Sequence, residues 1–165
     1  MKNIFVLSAL GFSCGLPYML VFSTLSAWLR DAGAALTVIG FISWAALTYS
    51  LKFLWSPFVD RIKMPLNQVV GQRRSWILMM QLRILILIMM MSQFDPISSL
   101  NFIVITAVLI AFFGSLQDIA VDAYRIELVS LDEQGNLAAS YQFGYRLSIL
   151  VATSLALIFA CLLYT

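Results

Sequence analysis

The 165-residue sequence contains no histidine. That removes the commonest general base and the commonest metal ligand. Cysteine occurs only as Cys14 and Cys161, each inside an apolar run. Both are read as small buried hydrophobes, and neither a disulfide nor a metal site is expected. Charge is scarce: 11% of residues are Asp, Glu, Lys or Arg, against about 25% in soluble domains. The formal net charge of +2 is too small for a nucleic-acid partner, and no basic stretch is interleaved with aromatics. There is no nucleophile–base–acid constellation and no cofactor loop, so the chain is not expected to be an enzyme or to hold a cofactor.

Apolar residues are what the chain has: 62% of it is hydrophobic, where a soluble domain carries roughly 45–50%. A soluble core of this size could not hide that excess, and the natural solvent is a lipid bilayer. Five stretches reach the roughly 20 mostly apolar residues that a membrane helix needs. They cover about 3–29, 36–59, 75–93, 97–123 and 137–165. The expected fold is therefore all-α, a polytopic membrane helical bundle in one transmembrane domain. The first stretch is uncharged and far longer than the usual signal-peptide core of about 7–15 residues. It is read as a span.

Basic residues set the orientation. Arg61, Lys63, Arg73 and Arg74 lie between spans two and three, Lys2 precedes span one, and Arg125 lies between spans four and five. The opposite side has only Arg30, beside Asp31. The N-terminus and these two connections are expected to face the cytoplasm.

Lys52, Arg83, Arg146, Asp118 and Asp122 interrupt the spans. At 1.5 Å per residue, Lys52 lies roughly 12 Å, Arg83 roughly 10 Å and Arg146 roughly 13 Å from the cytoplasmic ends of their helices. The two aspartates fall within roughly the last 10 Å of span four. All five occupy one layer in the cytoplasmic half. Such charges face a bundle interior and pair. Two readings stand: the charges simply pair and hold the bundle, or their positive excess lines an anion-accepting cavity open to the cytoplasm. A single layer, with no continuous polar stripe, argues against an ion channel.

Span one carries Gly11 and Gly15, a spacing that lets another helix approach closely, and Pro17, which removes a backbone hydrogen bond and is expected to kink the helix. Trp28, Trp55 and Trp76 fall at three span ends, where interfacial anchors are usual.

Five segments, "GFSCGLPYMLVFSTLSAWLRDAG", "SLKFLWSPFVDR", "GQRRSW", "QDIAVDAYRIE" and "QGNLAASYQFGYRLSIL", fall in one order. In that order the chain resembles the AmpG muropeptide permeases of the major facilitator superfamily, from about Gly11 to Leu150. Acetyl-coenzyme A transporters carry similar signatures. The resemblance implies a partial N-terminal half of a major facilitator fold, an incomplete six-helix half that stops inside helix five. It implies symport with protons across the bacterial inner membrane, bringing anhydro-muropeptides, small anionic sugar–peptides, into the cytoplasm.

The superfamily loop motif is matched at its ends by Asp60, Arg61, Gly71, Arg73 and Arg74, with Ser56 where its first glycine is usual. The resemblance makes these a gate clamp, with Asp122 as the partner of Arg61 or Arg73 and Arg125 nearby. It makes Asp118, one turn deeper, the proton-coupling candidate. Lys52 and Arg146 could meet ligand carboxylates, and Tyr18, Trp44, Tyr49, Gln117 and Tyr141 could line the site. Arg83, on a helix that packs outside the cavity, is expected to be structural. The implied partners are the bilayer, protons, the substrate and the missing C-terminal half of a permease. The alternatives are a truncated, transport-inactive membrane protein, one that works by assembling with another chain, or a relative that moves another anionic metabolite such as a coenzyme A ester.

Overall fold

The computed structural model describes residues 2–128, 133–155 and 158, without the side chain of Lys2. Helices and short turns make up the described residues, with no strand among them. Cys161 and the end of the expected fifth span lie outside them.

Helix α1 (Lys2–Met19) runs through a π-helical turn, Leu20–Thr24, into α2 (Leu25–Asp31). Together they make one 29-residue span from Asn3. Pro17 lies inside α1, and the π turn opens three residues later. The missing proline N–H is thus followed by a local change of winding, and the span stays continuous.

The second span is broken. Helices α3 (Leu36–Ser43), α4 (Ala46–Ser50) and α5 (Lys52–Arg61) follow one another, and the axis bends by 53° between Leu36–Ser50 and Lys52–Arg61. The Thr48 hydroxyl bonds back to the Ala45 carbonyl at 2.6 Å, a local contact that competes with the helical ladder. Leu51, at φ −90° and ψ 11°, is the joint, and Lys52 is the first residue beyond it.

Short α6 (Asn67–Val70) ends at Gly71, whose φ of +91° favours glycine. Gly71 thereby turns the chain into α7 (Gln72–Met91). Helix α8 (Leu100–Leu128) is 29 residues long, roughly 43 Å, and exceeds the roughly 30 Å hydrocarbon core. Helix α9 (Gln134–Leu150) passes into a second π turn, Val151–Leu155. Among the described residues, three helices are long and apolar enough to cross a membrane, or four if the bent pair is one span. The described residues form a polytopic helical membrane bundle, the architecture of a partial helical transporter.

Two close helix pairs organise the bundle. Helices α1 and α9 run parallel: Ser8 bonds to the Ser140 carbonyl at 3.0 Å, and Thr24 to that of Ala152 at 3.3 Å. Glycine makes this approach possible. A Cβ on Gly11 would strike the Tyr141 carbonyl, and one on Gly144 would strike that of Ser8. Inside lipid no water is expelled between helices, so close van der Waals packing of this kind supplies the attraction. Helices α7 and α8 run antiparallel, with Arg83 over the Phe113 ring at 5.4 Å and Arg74 over that of Tyr124 at 5.5 Å.

The core has two levels, both built around α8. Ile103, Ala107 and Ile110 pack with Val21, Leu29, Ile42 and Ile84, while Leu116, Ala120 and Val121 pack with Cys14, Val59, Trp76 and Met80. Trp76 departs from the expected interfacial role. It is buried, and its indole N–H donates to the Ile62 carbonyl at 3.1 Å, which ties the end of α5 to α7.

Candidate functional site

The break at Leu51 brings Lys52 to α8. Its Nζ lies 3.5 Å from Asp118 Oδ2 and 3.4 Å from Asp122 Oδ2. The two aspartates are one turn apart, so one ammonium spans both. Tyr141 of α9 donates its hydroxyl to Asp118 Oδ1 at 2.7 Å. Arg125 reaches Asp122 Oδ1 at 3.6 Å and lies over the Tyr141 ring at 5.7 Å. Three spans thus meet at Asp118, the more enclosed of the two aspartates, whose side chain is 17% exposed against 34% for Asp122.

The cluster holds two carboxylates and two cations, and its formal charges cancel. The positive excess expected from five layered charges is not gathered here. Arg83 stacks on Phe113. Arg146 is exposed, and no carboxylate among the described residues lies within salt-bridge distance of it. It sits two residues past Gly144, about 200° round the helix from the stripe facing α1.

A second charge group lies nearer the connections. Arg73 Nη1 pairs with Asp60 Oδ1 at 2.5 Å, and its Nε with Glu127 Oε1 at 2.9 Å. The carboxylate on α8 is therefore Glu127, where Asp122 was expected; Asp122 pairs with Lys52 and Arg125 instead. Glu127 lies five residues, about 140°, round α8 from Asp122. The extra turn of α8 beyond Ala123 is the signal that could have found it. Arg61 is exposed and makes no salt bridge among the described residues. Arg74 bonds to the Tyr124 hydroxyl at 3.2 Å.

The aromatic candidates separate. Tyr18 meets Tyr49 edge-on, with ring centroids 5.1 Å apart, and Phe22 at 4.8 Å. The Tyr49 hydroxyl is buried against Gly114, one turn from Asp118. Trp44 is 68% exposed beside Phe41, away from the cluster. Gln117 faces the other way. Its Nε2 bonds to Ser13 Oγ at 3.2 Å and Cys14 Sγ at 3.4 Å, inside the α1–α8 contact.

Residues 3–99 match the family model described as acetyl-coenzyme A transporter 1. The chain is 40% identical over 152 residues to the anhydromuropeptide permease of Escherichia coli, covering 92% of this chain and 30% of that one. A protein named as an AmpG transporter in Rickettsia felis is 36% identical over 158 residues, 96% of this chain and 38% of that one. The chain belongs to this transporter family, alongside the AmpG-type permeases. It spans about a third of the length of the curated relatives it matches. In this chain the Lys52 cluster joins α5, α8 and α9, and the Asp60–Arg73–Glu127 group lies at the ends of α5, α7 and α8.

Proposed function

We propose that the chain contributes one wall of a proton-coupled importer of anionic sugar–peptides of the anhydro-muropeptide class, in a bacterial inner membrane with its N-terminus in the cytoplasm. The observation that carries the reading is the charge-neutral Lys52–Asp118–Asp122–Arg125 cluster, together with the likeness to a relative named for anhydromuropeptide transport. In a neutral cluster Lys52 is fully engaged. Protonation of Asp118 removes one of its two partners and leaves the ammonium available to a ligand carboxylate. Loss of the proton to the cytoplasm restores the Asp118 pair and expels the ligand. Proton and anion thereby move together. Arg146, exposed and without a carboxylate among the described residues, is the second cation offered to the ligand, and its planar fork matches a carboxylate. Tyr18 and Tyr49 offer stacking faces for a sugar ring. Asp60, Arg73 and Glu127 act as a clamp that closes one side and parts in the other state.

The family model favours a second reading, in which the anion is a coenzyme A ester. The two separate in membrane vesicles from cells expressing the protein from its own gene. Under an imposed inward proton gradient, labelled anhydro-muropeptide accumulates and acetyl-coenzyme A does not. Accumulation of acetyl-coenzyme A alone establishes the second reading, and accumulation of neither overturns both.

A further inference from the structure

We propose that a buried water molecule joins Gln117 of α8 to Ser13 of α1, and that this joint makes Gln117 the positioning residue for Asp118. Gln117 is 1% exposed, and its Nε2 donates to Ser13 Oγ at 3.2 Å and to Cys14 Sγ at 3.4 Å. Its Oε1 is buried and has no hydrogen-bond partner among the described residues. Gln81 of α7 donates to the same Ser13 oxygen at 2.8 Å. Both lone pairs of that hydroxyl are then taken, and its own hydrogen meets no acceptor among the described residues. Three hydrogens thus crowd one oxygen while a buried acceptor nearby stands unpaired. Turning the Gln117 amide over does not resolve this, because it exchanges an orphaned acceptor for an orphaned donor.

An unpaired buried polar group is costly, and folded proteins meet such groups with ordered water. One water reaches both ends here. The amide oxygen lies about 2.2 Å from its own nitrogen, which stands 3.2 Å from Ser13 Oγ, so the two oxygens are within about 5.4 Å of each other. Two water bonds of about 2.8 Å span that distance. The water accepts from the Ser13 hydroxyl and donates to Gln117 Oε1. Gln81 also lines a cavity of about 410 Å³ between α1 and α7, so room for a water, about 30 Å³, adjoins the joint. Further chain packed over that cavity would not reach Gln117, which the described helices already enclose.

Gln117 and Asp118 are consecutive, about 100° apart round α8. A rotation of α8 that drew Gln117 out of the α1 contact would carry Asp118 through the same angle, away from Lys52 and the Tyr141 hydroxyl. The joint therefore fixes the rotation at which Asp118 meets both. It needs no substrate, so its test is independent of transport.

The test uses the full protein, made from its own gene and held in lipid bilayers. In solid-state NMR with isotope-labelled glutamine, the Gln117 side-chain amide is assigned through Leu116 and Asp118. Despite its burial it should take up magnetisation from water about as fast as Gln93, which is exposed at the α7–α8 connection. Ser13→Ala should slow that transfer about twofold, because the water loses one of its two partners. Tyr141→Phe reports the positioning. The drop in unfolding temperature that it causes should be about half as large in a Gln117→Leu background, or a Ser13→Ala background, as in the native one. Magnetisation that reaches Gln117 only by slow diffusion through neighbouring protein protons would overturn the proposal. So would a cross-peak from its amide to a side chain beyond α1, α7 and α8, or equal Tyr141→Phe losses in all three backgrounds.

Discussion

Tyr141 on α9 donates its hydroxyl to Asp118 on α8 at 2.7 Å, while Lys52 on α5 approaches the other oxygen of the same carboxylate at 3.5 Å. One side chain therefore ties three spans. A hydrogen bond to a charged group contributes about 1.5–3 kcal/mol. Tyr141→Phe should lower the stability of the detergent-solubilised protein by about that amount, read from thermal unfolding. A loss below about 0.5 kcal/mol would place the carboxylate's support elsewhere.

The α1–α9 contact predicts a second outcome. Gly144→Val puts atoms where the Ser8 carbonyl stands, and Gly40 has open space around it. Overpacking of this kind costs about 1–3 kcal/mol. Gly144→Val should destabilise to that extent, and Gly40→Ala should shift the unfolding midpoint little. Equal effects of the two would show that α9 does not pack on α1 at this distance.

The Arg73–Glu127 pair should be weak. Glu127 is 56% exposed, so water screens it, and such pairs contribute about 0.2–1 kcal/mol. A double-mutant cycle of Arg73→Gln and Glu127→Gln should give a coupling in that range that shrinks at high salt. A salt-independent coupling of several kcal/mol would contradict the exposed geometry.

Much of this arrangement is legible in the sequence. Helix rise is constant, so Lys52, Asp118 and Asp122 could be placed at one depth from their positions alone. Rotation about each helix was not legible. One residue is 100°, and that angle sends Gln117 into the α1 contact and Asp118 to the Lys52 cluster. The same ambiguity hid Glu127 as the partner of Arg73, and left Arg146 off the α1-facing stripe. Gly11 and Gly15 announced a close helix without naming α9. The joint at Leu51 had no proline or glycine to mark it, although it delivers Lys52 to the site.

The α7–α8 connection gives a prediction in pH. Asp95 accepts hydrogen bonds from the Ser98 N–H at 2.8 Å, the Ser98 hydroxyl at 3.0 Å and the Ile97 N–H at 3.1 Å. Led by the Ser98 N–H, these donors hold its carboxyl below the usual aspartate value. A lowered value means that the turn is fully supported above the unfolded value near pH 3.9 and loses that support as pH falls through the folded one. Carboxyl-carbon NMR of the protein in micelles should show Asp95 titrating below about 3.9. A midpoint at or above that value would mean the donors do not engage it.

The central claim is that proton and anion are coupled through the Lys52–Asp118 pair: the proton neutralises Asp118 and the anion takes its place on Lys52. It is tested most directly by comparing gradient-driven uptake with substrate exchange in vesicles, for the native protein and for Asp118→Asn. Asn cannot lose a proton, so Lys52 stays available. Accumulation driven by the gradient should vanish while exchange persists. Equal loss of both would mean that Asp118 only holds the spans together, and accumulation at the native level would remove the pair from the coupling altogether.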